Sequence, residues 1–464
     1  MTRTAVTLAY RTPSALEPSA GGSLLGLQTA GGSSPRGAMA HPSFFAGFIA
    51  SPRVYAAGLL SVADVAAARY YRPERRASLD PVVTGNGDRL RFESFSGCCG
   101  VHARLDVLAE GLEGRTTERG TTNVDVNNPL REALTRLAPD EPLHLRVGPD
   151  ELAVTTAAEG PLVEKKVPLP DRWVRGFAET QVLAAGFDLR AELDAAQAVR
   201  FLRSLPAGGT AKAGAPAGWR IPAPGGVLRP TSRAVPGAVC LAGPERLGAL
   251  RRVLRHITGL RVYGPPVRAG SEPVASAWEV GLPGMRLTLT LSPGVSRGFS
   301  GEGAVLQSLA SDTAAEDAEL LSVLLAWEAR VEIAELGAQA GLDTARVRDA
   351  LTRLGTAGRI GYDVAEAAYY HRELPYDADR AEAHNPRLRD ARALVGAGAV
   401  ELDGDTGVVR SGEQVYRVHE RDGVLGCTCP WWAKYRGGRG PCKHALAVRL
   451  VRRGELVAMA GGVA

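Results

Sequence analysis

The first forty residues of this 464-residue chain show neither a strand-like nor a helix-like pattern of hydrophobic positions. Residues 1–40 are rich in Gly, Ser, Ala and Pro, a composition typical of flexible segments. From His41 onward the pattern becomes that of a globular protein, and Ser51-Pro52 followed by spaced Val and Leu residues predicts a helix. The sequence therefore predicts a flexible tail over 1–40 and a folded chain after it.

Residues 41–206 alternate between two hydrophobic periods, which predicts one mixed α/β domain. A period of two indicates strands and a period of 3.6 indicates helices. The predicted strands are 89–95, 121–126, 143–147 and 151–155, and the predicted helices are 103–112 and 129–137.

A stretch rich in Gly and Pro, residues 207–235, separates this domain from a second pattern and predicts a linker. Residues 236–311 then form a second α+β module. Its predicted strands are 238–241, 260–263, 277–280 and 285–291, and its predicted helix is 244–257. The strand–helix–strand–strand order of both regions resembles the repeated units of sliding-clamp-like folds. The alternative is two unrelated α+β modules.

Residues 312–374 change to helical periodicity. A helix over 312–327 has Leu320, Leu321, Leu324 and Leu325 on its predicted core face, and a second helix covers 333–339. Gly341 predicts the end of the second helix. Asp343 predicts the N-cap of a third helix over 344–354. Strands follow at 359–362 and 367–371, and a linker helix is predicted within 375–400.

The spacing of Ala, Gly and Leu residues from Ile333 to Leu354 resembles the winged-helix family. The resemblance implies that the third helix can enter a major groove. Three arginines lie on the outward side of that helix and are candidate DNA contacts: Arg346, Arg348 and Arg353. Winged helices also serve as protein-docking modules. The alternative is a packing domain with a solvated arginine face.

Four ligand-type residues lie close together near the C-terminus. The pattern is Cys427-x-Cys429, twelve residues, then Cys442-x-His444. Three sulfurs and one imidazole suit tetrahedral zinc. A predicted hairpin carries the first pair, and Pro441 starts a helix that carries the second pair. All four positions are filled by protein, so the pattern predicts one structural Zn²⁺ ion.

This Cys-x-Cys followed by Cys-x-His, with Pro430 after the second ligand and Lys443 between the last two, resembles the bacterial SWIM-type zinc finger family. The resemblance covers residues 401–464. It implies a small ββα zinc module that is associated with DNA binding and protein–protein contacts. It implies no enzyme activity.

The remaining cysteines favour a structural interpretation. Cys98 and Cys99 are adjacent, so on a strand they would point to opposite sides and would not share a metal. We interpret them and Cys240 as buried apolar cysteines. His419 is a possible extra ligand, but a surface position on a strand is the simpler interpretation.

Composition and motifs exclude several classes of protein. The balance of 45% hydrophobic and 23% charged residues is that of a globular protein, and no apolar run approaches the length of a bilayer span. No signal peptide is recognised, and six cysteines are too few for a disulfide framework, which favours the cytoplasm. P-loop, HExxH and dinucleotide-binding patterns are absent. The segment 298–303 resembles a nucleophile elbow, but Glu302 replaces its second glycine, so we interpret it as a glycine-rich turn.

The sequence thus predicts an α+β, multidomain, non-catalytic binding protein. Between Cys427 and the C-terminus there are seven basic residues and one acidic residue, a local basic patch on a chain with a net charge of +5. The first hypothesis is nucleic-acid binding, with Trp431 or Trp432 near bases and with phosphates held by the basic residues Lys434, Arg436, Arg439, Lys443, Arg449, Arg452 and Arg453. The alternative is that the two tryptophans are core residues and that the glycine-rich loop 436–440 is merely solvated. The second is a protein–protein adaptor whose zinc finger is purely structural. Neither hypothesis requires a membrane or a small-molecule substrate.

Overall fold

The computed structural model shows an α+β protein built from several packed units. The residues it describes are 8–10, 12–19, 21–70, 80–114, 118–138, 141–148, 164–166, 169–206, 219–221, 238–267, 271–309, 314–325, 327–374, 385–421 and 424–461. The predicted strand 151–155 and most of the predicted linker 207–235 lie outside these residues.

Strands and helices both contribute to the described residues and are numbered in chain order. The strands are β1 (Leu8–Tyr10), β2 (Ala15–Ser19), β3 (Gly22–Leu27), β4 (Gly32–Ser34), β5 (Gly37–Met39), β6 (Phe45–Ile49), β7 (Val82–Asn86), β8 (Leu90–Phe95), β9 (Val101–Val107), β10 (Leu112–Gly114), β11 (Arg119–Asn123), β12 (Leu143–Val147), β13 (Glu164–Lys166), β14 (Asp188–Asp194), β15 (Trp219–Ile221), β16 (Val239–Leu241), β17 (Gly259–Gly264), β18 (Ser276–Leu282), β19 (Met285–Leu291), β20 (Ile360–Asp363), β21 (Ala368–His371), β22 (Val400–Asp403), β23 (Thr406–Ser411), β24 (Gln414–Arg421) and β25 (Val424–Cys427). The α-helices are α1 (Pro52–Ala67), α2 (Asn128–Thr135), α3 (Asp171–Ala184), α4 (Ala195–Ser204), α5 (Leu306–Leu309), α6 (Ala314–Leu325), α7 (Ile333–Ala340), α8 (Thr344–Thr356), α9 (Pro386–Gly396), α10 (Pro430–Tyr435) and α11 (Lys443–Gly461). The predicted helix 244–257 is a 3-10 helix, Pro244–Val253.

A ten-stranded antiparallel sheet organises the first 300 residues, in the order β14-β17-β18-β19-β9-β8-β7-β11-β4-β5. Strand β19 pairs with β9 along its whole length, from Met285 opposite Val107 to Leu291 opposite Val101. The predicted domain 41–206 and the predicted module 236–311 therefore share one sheet. The prediction that they are two separate domains is wrong. Periodicity identifies strands but does not identify their partners, so this pairing has no signal in the sequence pattern.

The predicted flexible tail is also wrong, because strands β2 to β5 lie within it. Strand β3 alternates between half-buried and buried residues, and Leu25 and Leu27 are fully buried. The glycines serve close strand packing: a Cβ at Gly32 would collide with the carbonyl oxygen of Thr121. Small residues that indicate flexibility in isolation here allow two strands to approach each other.

The predicted helix 103–112 is wrong as well, since strand β9 covers the first half of this segment. Val101, Ala103 and Leu105 are buried on one face of the sheet, where they belong to the main hydrophobic core. The alternate residues His102, Arg104 and Asp106 are buried as well, on the opposite face. Both faces of β9 are covered, so the polar residues no longer indicate the solvent side.

Helices α6, α7 and α8 and the hairpin of β20 and β21 form a helical unit with its own core. The predicted end and cap are confirmed: Gly341 has a φ of +66°, and the Asp343 carboxylate accepts hydrogen bonds from the N–H groups of Ala345 and Arg346. Leu321 and Leu325 are buried as predicted. Leu320 is instead exposed, because it lies outside the face that α6 packs against α7 and α8.

The hairpin of the helical unit is fixed to the ten-stranded sheet by buried ion pairs. Asp363, next to the hairpin turn, lies 2.8 Å from Arg91, 3.0 Å from Arg104 and 2.9 Å from Arg286. Arg372, which follows the second strand of the hairpin, pairs with the buried carboxylate of Glu93. The hairpin is therefore a docking element of the fold rather than a free projection.

The C-terminal unit is larger than the predicted ββα module. It has a four-stranded antiparallel sheet, β22-β23-β24-β25, with α10 inserted before α11. The predicted linker helix, α9, packs against α11 through Leu388 and Ala391. The same cluster includes Ala178 of α3 and Val305, so the C-terminal unit is packed onto the body of the protein. Among the described helices, none has the length and apolar character that a bilayer crossing requires.

Candidate metal centre

The four predicted ligands lie in two short segments, one at the start of each of the helices α10 and α11. Cys427 ends β25 and Cys429 is the N-cap of α10. Cys442 directly precedes α11, and His444 is in its first turn. The ligand atoms of all four side chains lie within 4.8 Å of one another, and all four residues are buried. Within the described parts of the chain, no other group of three such side chains has this geometry.

The start of each helix supplies a hydrogen bond to one sulfur. The N–H of Trp432 donates to Cys429 Sγ and the N–H of Ala445 donates to Cys442 Sγ, each at 3.4 Å. Helix N-termini favour negative charge, so both contacts stabilise thiolates. A cysteine directly before each helix is thus both a candidate metal ligand and the acceptor of a hydrogen bond from the first turn of that helix.

The three thiols share one buried site and do not ionise independently. A hydrogen bond from Cys427 lowers the pKa of Cys442, and the same contact raises the pKa of Cys427. Burial raises the pKa of Cys429. A divalent cation would compensate the charge of all three thiolates, which is the chemistry of a structural metal site.

The donor set and its spacing fit zinc. His444 Nδ1 lies 3.8 Å from Cys427 Sγ, close to the roughly 3.6 Å that tetrahedral Zn–N and Zn–S bond lengths give. The Tyr416 ring stacks on the His444 ring with a centroid distance of 4.2 Å and fixes its orientation. All four positions come from protein, so Cys427, Cys429, Cys442 and His444 fit one structural zinc ion with no open coordination position.

The other cysteines and His419 lie outside this site. His419 is exposed on β24, as the sequence predicts. Cys99 and Cys240 are buried, and burial raises the pKa of Cys99 to about 12. Cys98 is half-buried, and the pair lies in a turn, where Cys99 has a φ of +56°, rather than on a strand.

Arg439, one of the predicted nucleic-acid contacts, instead bonds within the protein. Its guanidinium donates to the Gly301 carbonyl oxygen at 2.7 Å and lies over the rings of Trp431 and Tyr435. Arg387 of α9 lies over the same Trp431 ring and donates to the Arg439 carbonyl oxygen at 2.6 Å. Trp431 is therefore packed between the finger and the body, which favours the core interpretation of this tryptophan.

The segment 298–303 packs against the loop 436–440 of the zinc finger, which we call the finger loop. Arg297 donates to the Gly438 carbonyl oxygen at 3.0 Å and pairs with Glu302 at 2.7 Å. A Cβ at Gly440 would collide with the Gly303 carbonyl oxygen, so this glycine permits the close approach. The glycine-rich turn is thus a packing surface for the zinc finger.

The other predicted basic residues are distributed over two surfaces. Lys434 and Arg436 are exposed on and just after α10, and Lys443 is half-buried at the start of α11. On α8, Arg346 pairs with Asp317 at 2.6 Å, Arg348 is exposed and Arg353 is half-buried. Arg452 of α11 pairs with Glu420. Side-chain surroundings of Arg453 lie outside the described residues.

Two further arginines of the finger, Arg417 and Arg421, are absent from the predicted nucleic-acid contacts. Both are exposed on β24 with His419 between them, at every second position. Side chains alternate between the two faces of a strand, and this alternation places both arginines on the outer face of β24. Arg297 and Arg387, which hold the finger in place, had no local signal because their partners are more than fifty residues away.

A buried carboxyl group next to the segment 298–303, that of Glu179, predicts that the stability of the protein depends on pH. Burial raises the pKa of Glu179 to about 8 even though it accepts a hydrogen bond from the Ala304 N–H at 2.9 Å, with Glu302 and Arg387 as its charged neighbours. The folded chain then binds a proton that the unfolded chain has lost, so stability falls as pH rises from about 4.5 to 8. Glu179→Gln keeps the acceptor oxygen and should remove this loss, with a gain on the order of 1–3 kcal/mol at pH 8 and little gain at pH 5.

Urea unfolding of both proteins at pH 5 and pH 8 measures this difference. An equal difference in unfolding free energy at the two pH values would contradict the raised pKa.

Comparison with known proteins gives one match in sequence and several in structure. The SWIM zinc finger family model matches residues 416–451. Proliferating Cellular Nuclear Antigen from Entamoeba histolytica is 7% identical over 54% of this chain and 99% of that chain, with a TM-score of 0.30. The pol III beta protein of Caulobacter crescentus is 13% identical over 82% of this chain and 86% of that chain, with a TM-score of 0.30. PCNA of A. fulgidus, bound to a C-terminal region of FEN-1, is 12% identical over 54% of this chain and 98% of that chain, with a TM-score of 0.28. No curated protein matches the sequence.

The family match and the ligand cluster coincide. The matched residues begin at Tyr416, which stacks on the histidine ligand, and they include all four ligands. Residues 416–451 of this chain are a SWIM zinc finger, with a Cys3His donor set that fits one structural zinc ion.

Proposed function

We propose that this chain is a non-catalytic nucleic-acid-binding protein that uses the exposed side of its zinc finger. The observation that carries the proposal is that the basic residues of the finger fall into two groups, one bonded within the protein and one without a carboxylate partner among the described residues. Arg439 is bonded to the body of the protein, whereas Lys434, Arg436 and Lys443 form no ion pair with any carboxylate of the described residues. Unpaired cations at a fixed position beside a rigid centre are suited to hold phosphates.

The zinc ion in this proposal is structural and supplies rigidity. Since Cys429 is the N-cap of α10 and α11 begins just after Cys442, the metal holds the starts of both helices that present these cations. A closed set of four protein ligands leaves no position for a metal-bound water, which supports a role in binding rather than in catalysis. We place this binding role in the cytoplasm.

A winged-helix role for the helical unit is part of the same proposal but is restricted by the contacts. The hairpin is docked on the sheet, and Arg346 is paired with Asp317. The part of α8 available to DNA is therefore its exposed N-terminal half with Arg348. The finger is the stronger candidate for the main contact.

A protein–protein adaptor is the second candidate, and one observation favours it. Leu320 and Val323 of α6 are 45% and 74% exposed and lie three residues apart on one helix face. Adjacent exposed apolar side chains are typical of docking surfaces. In this alternative the zinc finger only braces the fold.

Removing the two exposed cations of the finger tests the first proposal. Zinc-loaded full-length protein is titrated into fluorescent 20-mers of single- and double-stranded DNA at two salt concentrations. Lys434→Ala combined with Arg436→Ala should weaken binding about tenfold at low salt and reduce the salt slope by roughly 1.4 to 1.8, because two phosphate contacts are lost.

The matched control is Arg136→Ala combined with Arg200→Ala, which removes two exposed arginines outside the finger and leaves binding unchanged. Absence of binding by the zinc-loaded wild-type protein at low salt would reject the nucleic-acid proposal and favour the adaptor. Arg439→Ala is not a test of phosphate contact, because it disturbs the docking of the finger loop.

A further inference from the structure

The outer face of β24 carries a row of basic side chains. Arg417, His419 and Arg421 are exposed, while Val418 is fully buried and Tyr416 stacks on the zinc ligand His444. Side chains at every second position of a strand lie about 6.8 Å apart along one face. The zinc centre holds the other face of the strand and so fixes the position of this row.

Three acidic residues of the same sheet are paired or lie away from this row: Glu401, Asp403 and Glu420. Glu420 lies on the opposite face of β24 and pairs with Arg452 of α11. Glu401 of β22 is two strands away and pairs with Arg410 at 2.6 Å. Asp403 is also on β22, at the far edge of the sheet. Basic side chains therefore lie on β24, where Arg417 and Arg421 form no ion pair with a carboxylate of the described residues, and acidic side chains lie on β22 at the far edge of the sheet.

Opposite His419, the neighbouring strand β25 carries no side chain. In the neighbouring strand, Gly426 lies opposite His419, and a Cβ there would collide with the His419 ring. The ring consequently lies over bare backbone. Thr428, just beyond β25, bonds to the backbone of Arg417 through its hydroxyl at 3.0 Å. No bulky side chain of the described residues stands between the basic row and the sheet edge.

We infer that the outer face of β24 binds the phosphate backbone of a single nucleic-acid strand, an inference that rests on the proposed function and names the partner class. A row of basic side chains along an extended strand has a step comparable with the spacing of successive phosphates. A flat sheet face without a protruding helix does not enter the major groove of a duplex, which normally admits a helix or a two-stranded ribbon. A flexible single strand can lie along the row, as on other positively charged tracks for single strands.

The test compares Arg417→Ala combined with Arg421→Ala with the wild-type full-length, zinc-loaded protein. The probes are a fluorescent dT20 oligonucleotide and a 20-base-pair duplex, each at two salt concentrations. Affinity for dT20 should fall about tenfold at low salt, and the salt slope should decrease by roughly 1.4, the value for two single-strand phosphate contacts. The change for the duplex should be smaller. The Arg136→Ala and Arg200→Ala double variant is the charge-matched control, and zinc content is measured on every sample.

The outcomes separate this inference from the proposed function. Unchanged dT20 binding by the β24 variant, with weakened binding by the Lys434→Ala and Arg436→Ala variant, would overturn the inference and leave the proposed function standing. A loss confined to the duplex would overturn the choice of a single strand. If the wild-type protein binds neither probe at low salt, the proposed function fails and the inference fails with it.

Discussion

Replacement of Cys442 by serine is expected to remove zinc from the protein and to unfold the C-terminal finger. Cys442 is the thiolate on which the other ligands converge: it accepts hydrogen bonds from Cys427 and from the Ala445 N–H. A serine hydroxyl is a poor ligand for zinc, and structural zinc contributes on the order of 10 kcal/mol of apparent binding energy to small zinc modules. The zinc content should fall from one ion per chain to near zero, measured by elemental analysis of the purified protein.

The consequences should extend beyond the finger, because the finger is part of a larger packed unit. Trp431 contacts Arg387 of α9, and α11 packs against α9. Hydrogen exchange in the Cys442→Ser protein should therefore accelerate in α9, α10 and α11 but not in the ten-stranded sheet. A matched control is Cys98→Ser, a half-buried cysteine outside the cluster, which should leave zinc content unchanged. Full zinc occupancy in Cys442→Ser would show that the ligand assignment is wrong.

The zinc centre could be predicted from the sequence because its determinants are local. Cys427 and Cys429 are two residues apart, as are Cys442 and His444, and each pair lies at the start of one helix. The cap at Asp343 and the helix end at Gly341 were predictable for the same reason. In each case the residue type itself specifies the local geometry.

What the sequence could not predict depends on contacts between distant segments. The sequence predicts Arg439 as a phosphate contact because it is an arginine in a basic, glycine-rich loop. Only its hydrogen bond to the Gly301 carbonyl oxygen shows that it attaches the finger to the body of the protein. The pattern over 103–112 predicts a helix where strand β9 lies, because both faces of this strand are buried, one of them by residues near position 363, more than 250 residues later. Periodicity assumes that polar residues face water, and this assumption fails where a second unit covers the sheet with matching charges.

The network that covers β9 gives the second large expected effect. Asp363 is 1% exposed and sits among Arg91, Arg104 and Arg286. Burial opposes its ionisation, but Arg104, Arg91 and Arg286 outweigh burial and hold its pKa well below the usual range. Asp363→Ala would leave buried guanidinium groups without this carboxylate. Loss of one partner of a buried ion pair costs about 3–5 kcal/mol, because the remaining charge is uncompensated.

The expected result for Asp363→Ala is detachment of the hairpin of β20 and β21 from the sheet, with the helical unit becoming more dynamic. Urea unfolding should show the loss of stability, and hydrogen exchange should increase across residues 360–371 and in β9. Glu366→Ala is the matched control: Glu366 pairs with Arg89 from a more exposed position at the same hairpin, so its removal should cost less than about 1 kcal/mol. Because Asp363 is balanced by several arginines and Glu366 lies at the edge of the network, equal effects of the two substitutions would contradict the view that the buried carboxylate joins the two units.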